Sequence, residues 1–249
     1  MSNEAAFSGK NVLVVGGSRG IGAAVARRFA SLGAKVAIGY RAAGTAAEAL
    51  VGDIVAAGGD AKALAGDIAR PDEAEAMVRA AYAHFGKLDV LVNAAGVGRY
   101  LPLDKIDEAH FRAIFDTNVL GTIMLTKAAA PLISSPGGRI IHFASRLAYN
   151  PFPTSSVYAA SKAAVVALVH GFARELGPKG ITVNALAPGV IETDMTTDII
   201  AQRGDQIRAL TPLGRIGQPD DIAGIVTFLA SPEAGWITGR TLLADGGLN

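Results

Sequence analysis

The stretch Asn11-Val12-Leu13-Val14-Val15-Gly16-Gly17-Ser18-Arg19-Gly20-Ile21-Gly22-Ala23-Ala24-Val25-Ala26 passes from an apolar, β-branched run through a glycine-rich turn into a helical pattern. A run of this kind predicts a buried strand, and the Ala-rich segment after it predicts a helix. Glycines at 16, 20 and 22 permit a tight turn and let the backbone approach a pyrophosphate closely. The helix N-terminus behind them offers free N–H groups and the positive end of the helix dipole. With 30 Gly in the chain, such a spacing alone says little. Its place between the first strand and the first helix gives it meaning, because there it opens a βαβ unit.

Outward from this turn, short apolar runs alternate with longer helical patterns. Strands are expected at 11–15, 35–40, 61–65, 88–93, 139–144, 181–187 and 241–244, and helices at 20–32, 44–57, 71–85, 107–132, 155–176 and 220–230. Pro71 followed by Asp72 and Glu73 marks a helix start, with the acids at the positive dipole end. The strand runs are nearly continuous in apolar residues, as strands covered on both faces require. The reading is an α/β fold, a doubly wound (Rossmann) seven-stranded parallel sheet, in one catalytic domain over 1–249. The segment at about 190–217 breaks the rhythm and is read as a substrate lid.

Composition excludes several classes. Half of the 249 residues are hydrophobic and only 6% are aromatic, which suits helices packed closely on a sheet. A net charge of +1 without a basic run leaves nucleic-acid binding no electrostatic footprint. There is no Cys, and the four His do not stand at metal-ligand spacings, so neither a disulfide nor a metal site is expected. The N-terminal residues lack an apolar signal-peptide core. No apolar stretch of membrane-spanning length runs without charge or Gly/Pro interruption. The expectation is a soluble, cytoplasmic protein without membrane contact. His142 and His170 are read as packed or surface residues rather than general bases.

The end of the second strand commonly bears an acid that binds the ribose 2′-hydroxyl of NAD. Here it reads Gly39-Tyr40-Arg41, with no acid. Arg41, together with Arg19 in the glycine turn, could chelate a 2′-phosphate, so the expected cofactor is NADP(H).

A set of motifs runs through essentially the whole chain: Gly16-x-x-x-Gly20-Ile21-Gly22, Asp67, Asn93-Ala94-Ala95-Gly96, Asn118, Ser145, Tyr158-x-x-x-Lys162, and Pro188-Gly189 with Thr193. In their order and spacing the chain resembles the short-chain dehydrogenase/reductase family, most nearly its 3-oxoacyl-[acyl-carrier-protein] reductase branch and related NADPH-dependent carbonyl reductases. Val15 stands where the family often has Thr, and Ala94 where it has a second Asn; both positions bear on bracing of the nucleotide-side turns. The resemblance implies Gly16, Ser18, Arg19, Gly20, Ile21, Gly22, Tyr40 and Arg41 at the cofactor. It also implies Asp67 and Ile68 at the adenine, and Asn93, Ala94 and Gly96 on the adenosine ribose side. Pro188, Gly189, Val190, Ile191 and Thr193 fall at the nicotinamide end, Thr193 on its carboxamide.

Tyr158 and Lys162 are four apart on an expected helix and therefore share a face. A nearby ammonium is expected to lower a phenol pKa that is otherwise about 10. Tyr158 can then protonate the alkoxide formed when hydride reaches a carbonyl carbon. Lys162 would also reach the nicotinamide ribose. Ser145, just past the fifth strand, can hold the substrate oxygen. Asn118 is an Asn inside a long helical pattern, and the family role is to hold a water linking Lys162 to solvent.

The expected substrate pocket comprises Ser145, Arg146, Leu147, Phe152, Tyr158 and Met195, beside the 97–100 loop. This apolar, aromatic lining suits a hydrophobic or aryl ketone, with Arg99 and Arg146 as neighbouring cations. A carrier-protein substrate would call for a basic surface, and 134–138 provides none before Arg139, with Lys179 further on. Reduction of 3-oxoacyl carrier protein is therefore the alternative, and a catalytically idle nucleotide sensor or scaffold the third reading. The helix around Tyr158 is apolar nearly all round, which predicts a subunit contact; the resemblance implies a homotetramer, and the segment 236–249 is expected at another contact.

Overall fold

The computed structural model describes residues 6–248. Residues 1–5, where no signal peptide is expected, and Asn249 lie outside the described residues. The strands are β1 (Asn11–Val15), β2 (Lys35–Tyr40), β3 (Asp60–Ala65), β4 (Val90–Asn93), β5 (Arg139–Phe143), β6 (Thr182–Pro188) and β7 (Thr241–Ala244). They form one sheet in the order β3-β2-β1-β4-β5-β6-β7. Every neighbouring pair is parallel. All five residues of β1 are buried, so this strand is covered on both faces, as its apolar run requires.

The α-helices are α1 (Gly20–Ser31), α2 (Gly44–Ala56), α3 (Pro71–Phe85), α4 (Glu108–Phe115), α5 (Gly121–Ala129), α6 (Ser156–Leu176), α7 (Thr197–Leu210) and α8 (Pro219–Ala230). Alternate strand residues feed opposite layers. Val12, Val14, Val36 and Ile38 pack with Phe29 of α1, Leu50 of α2 and Val226 of α8. Leu13, Leu91 and Ile140 pack with Met77 of α3, Leu125 of α5 and Val169 of α6. The strand order reverses between β1 and β4, and the carboxyl ends of those strands form the crevice where such sheets bind ligands.

Two expectations need correction. The helix expected over 107–132 is three pieces, α4, a π turn at Asp116–Leu120, and α5. One extra residue in that turn shifts the helix register, a change the 3.6-residue pattern does not reveal. The fourth strand begins at Val90; Leu88 makes only an isolated bridge to Ile133. The longest helix is α6, and the segment 156–179 that contains it is apolar enough to cross a membrane by length and composition. It lies along β6 and buries Tyr158, Lys162, Val165 and Val169. Between β6 and α8 the chain leaves the sheet. A bridge from Ile191 to Gly217 closes the base of this excursion, and α7 within it is interrupted at Arg203.

At the amino ends of the strands Asp89 is 3% exposed. It accepts the Asn11 N–H at 2.9 Å and the Ser134 hydroxyl at 2.9 Å, and pairs with Lys87 at 3.2 Å. Burial pushes its pKa up, but hydrogen bonds from Asn11, Ser134 and Lys87 outweigh burial and hold it below the usual carboxylate value. Such a depressed group contributes stability that is present above the unfolded-state pKa and is lost as pH falls through the folded one. Asp89→Ala orphans a buried N–H and is expected to destabilise by about 2–4 kcal/mol in urea unfolding at neutral pH. The difference from the parent should shrink below about pH 4.

Candidate active site

The glycine turn is shaped by contacts that tolerate no side chain. Gly16 sits at φ +73°, and a Cβ there would lie 2.6 Å from the Ala95 nitrogen. A Cβ on Gly22 would lie 2.1 Å from the Gly16 carbonyl oxygen. These glycines let α1 start directly against the end of β1, with its first N–H groups opening on the switch-point crevice. The cradle fits a pyrophosphate. Ser18 and Gly20 are half-buried on this turn, and Ile21 packs on the core behind it.

At the end of β2, Tyr40 lays its ring over Gly44, and Arg41 pairs with Asp67 at 3.7 Å. Arg41, Asp67, Val97, Arg99, Arg112 and Asp116 line a cavity of about 240 Å³. Its cationic rim fits the adenosine end of a phosphorylated dinucleotide. Arg19 pairs with Asp194 at 3.2 Å.

The side chains of several residues expected at the cofactor face the core. Ile68 is 3% exposed and presses against the position where Gly121 would carry a side chain. Asn93 is 2% exposed, and its amide donates to Thr122 at 3.1 Å and accepts from the Ala95 N–H at 3.3 Å. Ile191 packs in the core. Ala94 donates its N–H to the Val15 carbonyl at 2.9 Å, so the two departures from the family pattern are joined by their backbones. Gly96 leaves room beside Lys162: a Cβ there would be 3.3 Å from Nζ. Gly189 donates to the Ala244 carbonyl and has Asp245 2.8 Å from a built Cβ, while Val190 accepts from Gly217. Pro188 ends β6, and the Thr193 methyl approaches a built Gly20 Cβ to 3.2 Å.

Tyr158, Lys162 and Ser145 converge above the ends of β5 and β6. Tyr158 is 8% exposed and Lys162 is 4% exposed. Lys162 Nζ lies 5.8 Å from the Tyr158 ring centroid and donates to the Phe143 carbonyl at 2.8 Å. Burial pushes Lys162 down to about 8. Burial, and then the neighbouring Tyr100, push the Tyr158 phenol well above its ordinary value, against a hydrogen bond with Ser145 that pulls it down. The expectation of a lowered phenol is therefore corrected: desolvation dominates, and the Lys162 ammonium is bonded to a strand carbonyl. Ser145 Oγ accepts the Leu147 N–H at 3.2 Å. His142 is wholly buried, bonded to Thr126 at 3.0 Å, and held neutral by burial with a pKa of about 3. That makes it a packed histidine.

Asn118 lies in the π turn and is 2% exposed. Its side chain accepts the Val97 N–H at 2.9 Å and donates to the Val97 carbonyl and the Ser161 hydroxyl, both at 3.0 Å. Its carbonyl accepts the Thr122 hydroxyl at 2.8 Å. The extra π residue thus turns Asn118 to clasp the loop after β4 against α6. Ser161, which also donates to the Tyr158 carbonyl at 2.7 Å, escaped sequence reasoning, as did the Phe143 carbonyl. Its place beside Lys162 is the one sequence signal that marked Ser161.

Around this group the mouth is aromatic. Tyr100 packs edge-on to Tyr158 at 5.7 Å and tilted to Phe152 at 5.2 Å. Tyr100, Met195 and Tyr158 all stand within 3.7 Å of a built Gly98 Cβ. Leu147 is buried beside Tyr158. The Leu101 N–H donates to the carbonyl of Thr154, whose φ is +78°, so the two mouth loops are tied together. Arg146, expected at the pocket, donates its Nε to the Leu248 carbonyl at 3.1 Å.

A family model described as Enoyl-(Acyl carrier protein) reductase matches residues 15–249. An uncharacterized oxidoreductase of Methylorubrum extorquens is 44% identical, with 97% of this chain and 98% of the relative covered. A 3-oxoacyl-[acyl-carrier-protein] reductase of Synechocystis is 40% identical over 98% of both chains. The crystal structure of a short-chain dehydrogenase from Burkholderia cenocepacia in complex with NADP superposes with a TM-score of 0.93 at 41% identity, covering 98% of this chain and 99% of the other. With its switch-point glycine turn and its buried Tyr158, Lys162 and Ser145, the chain belongs to the short-chain dehydrogenase/reductase family of oxidoreductases.

Proposed function

We propose that the protein is an NADPH-dependent carbonyl reductase that converts a hydrophobic or aryl ketone to a secondary alcohol. The observation that carries this reading is the convergence of Ser145, Tyr158 and Lys162 beneath a mouth built from Tyr100, Leu147, Phe152 and Met195. When bound, the reduced nicotinamide supplies the hydride. Ser145 Oγ hydrogen-bonds the ketone oxygen and fixes it against Tyr158. Tyr158, protonated throughout the neutral range, gives its hydroxyl proton to the developing alkoxide. Lys162 holds the nicotinamide ribose and keeps positive charge near the phenol as that proton leaves. Asn118 fixes the loop after β4, and its carbonyl has a second lone pair to offer a water that links Lys162 to solvent. Arg19 and Arg41 read the 2′-phosphate, Asp67 borders the adenine, and Thr193 meets the carboxamide. The 190–217 excursion acts as the substrate lid.

A second reading, reduction of 3-oxoacyl carrier protein, is favoured by the likeness to the 3-oxoacyl-[acyl-carrier-protein] reductase of Synechocystis. Against it, Arg139 donates to the Gly137 and Gly138 carbonyls, which leaves little basic surface beside β5. Aryl ketones assayed against acetoacetyl thioesters, with NADPH and NADH side by side, test both. The expected result is higher kcat/KM on aryl ketones with NADPH; preference for the carrier-bound thioester selects the second reading. NADPH binding without turnover on any carbonyl selects a sensor or scaffold.

The protein is further proposed to be a cytoplasmic homotetramer. Ala160, Ala163 and Ala167 face outward on α6, and Trp236 is 99% exposed on the segment before β7. Light scattering at micromolar concentration should give the mass of four chains; a monomer contradicts this. A pH test follows from Lys162, charged below its pKa of about 8 and neutral above it. NADPH affinity of the free enzyme, read by fluorescence, is expected to fall above that pH. Lys162→Met should bind more weakly and show no such limb; a limb that persists in the variant refutes the assignment.

A further inference from the structure

The start of the lid touches the glycine turn at two points. The Thr193 methyl would lie 3.2 Å from a Cβ on Gly20, and Asp194 Oδ2 stands 3.2 Å from Arg19 Nη1. Resting on the assignment of Arg19 to the 2′-phosphate, we propose that Asp194 is a cofactor-selectivity residue, competing with the 2′-phosphate for the Arg19 guanidinium.

The two arginines of the cofactor groove are held differently. Arg41 pairs with Asp67 at 3.7 Å, a residue of the loop after β3 whose Oδ1 accepts the Ala69 N–H at 3.0 Å. Its partner is held by that loop. Arg19 is held by the lid instead, across 175 residues of sequence. Its partner Asp194 is 74% exposed, and the guanidinium pair has no second carboxylate among the described residues. A 2′-phosphate carries more charge than a carboxylate and accepts bidentate bonds from guanidinium. It therefore displaces Asp194, and part of its binding energy is lost in breaking the pair. NADH, with a hydroxyl in place of that phosphate, makes no demand on Arg19 and does not encounter the competition. Asp194 thus lowers discrimination between the two cofactors and ties the lid to the turn while the phosphate is absent.

The exposure of both groups bounds the effect. Solvent-exposed ion pairs are weak, so removing Asp194 should tighten NADPH binding about threefold to fivefold, roughly 0.6–1 kcal/mol. The test is fluorescence titration of NADPH and NADH into the intact protein, the Asp194→Asn variant, Arg19→Ala, and the double variant at low ionic strength. The proposal expects the NADPH Kd to fall threefold to fivefold in Asp194→Asn with the NADH Kd unchanged. It expects Arg19→Ala to weaken NADPH alone by about tenfold or more, and Asp194→Asn to have no effect in the Arg19→Ala background. An NADPH Kd that is unchanged or higher in Asp194→Asn, while Arg19→Ala still weakens it, overturns the competition and leaves the Arg19 assignment standing. Unchanged NADPH binding in Arg19→Ala removes that assignment and the proposal with it.

Discussion

Tyr158→Phe is expected to bind NADPH within about twofold of the parent and to lose about 10³–10⁴-fold in kcat for ketone reduction, the upper range for a positioned proton donor. The ring is 8% exposed and packs edge-on against Tyr100, so removing one oxygen leaves the apolar contacts in place. What disappears is the hydroxyl that Ser145 hydrogen-bonds and that keeps its proton at neutral pH. Because burial holds the phenol well above its ordinary value, it is fully protonated in the working range, which favours the reductive direction. The same raised value makes it a reluctant base for alcohol oxidation unless positive charge is brought close to it. Lys162, whose ammonium rests on the Phe143 carbonyl, is the group on hand to provide that charge. Oxidation is therefore expected to show a steeper gain with pH than reduction. Stopped-flow single turnovers in both directions, with the fluorescence titration of NADPH beside them, check all three statements. Near-normal reduction by the Phe variant refutes Tyr158 as the donor.

The parts of the site that were legible in the sequence are those whose chemistry is local. Gly16, Gly20 and Gly22 between a strand and a helix can be read as a turn without tertiary information, although Ala95 and Thr193 also close on Gly16 and Gly20. Tyr158 and Lys162 share a face by helical spacing alone. Long-range partners were not legible. Lys162 meets a carbonyl 19 residues away, and Arg146 meets one 102 residues away. Ile68, Asn93 and Ile191 lie in segments assigned to the cofactor side, and their side chains face the core. One residue of register decides which way such a side chain faces. The π turn at Asn118 was hidden for the same reason: apolar periodicity reports where a helix runs, and an inserted residue changes its phase without changing its composition.

Gly22→Ala is expected to be the most damaging small substitution in the chain outside the catalytic group. On an exposed helix, Gly→Ala stabilises by about 0.5–1 kcal/mol. Gly52 in α2, with nothing within 4 Å of a built Cβ, should behave in that way. At Gly22 the same methyl would sit 2.1 Å from the Gly16 oxygen and 3.0 Å from the Gly17 Cα, both backbone atoms with no rotamer to change. Relief requires α1 to move away from the end of β1, and α1 packs through Val25, Ala26 and Phe29 into the core. The overpacking is expected to outweigh the helix-propensity gain and cost about 2–4 kcal/mol. For a chain of this size that lowers Tm by roughly 5–10 °C. Displacing α1 also moves its N-terminal N–H groups off the pyrophosphate site, so NADPH affinity should fall by at least about tenfold, or 1.4 kcal/mol. Gly52→Ala measured in parallel separates the two effects, since it should raise Tm slightly and leave NADPH binding alone. Parental Tm and NADPH affinity in Gly22→Ala would show that the turn has slack the packing around Gly16 does not display.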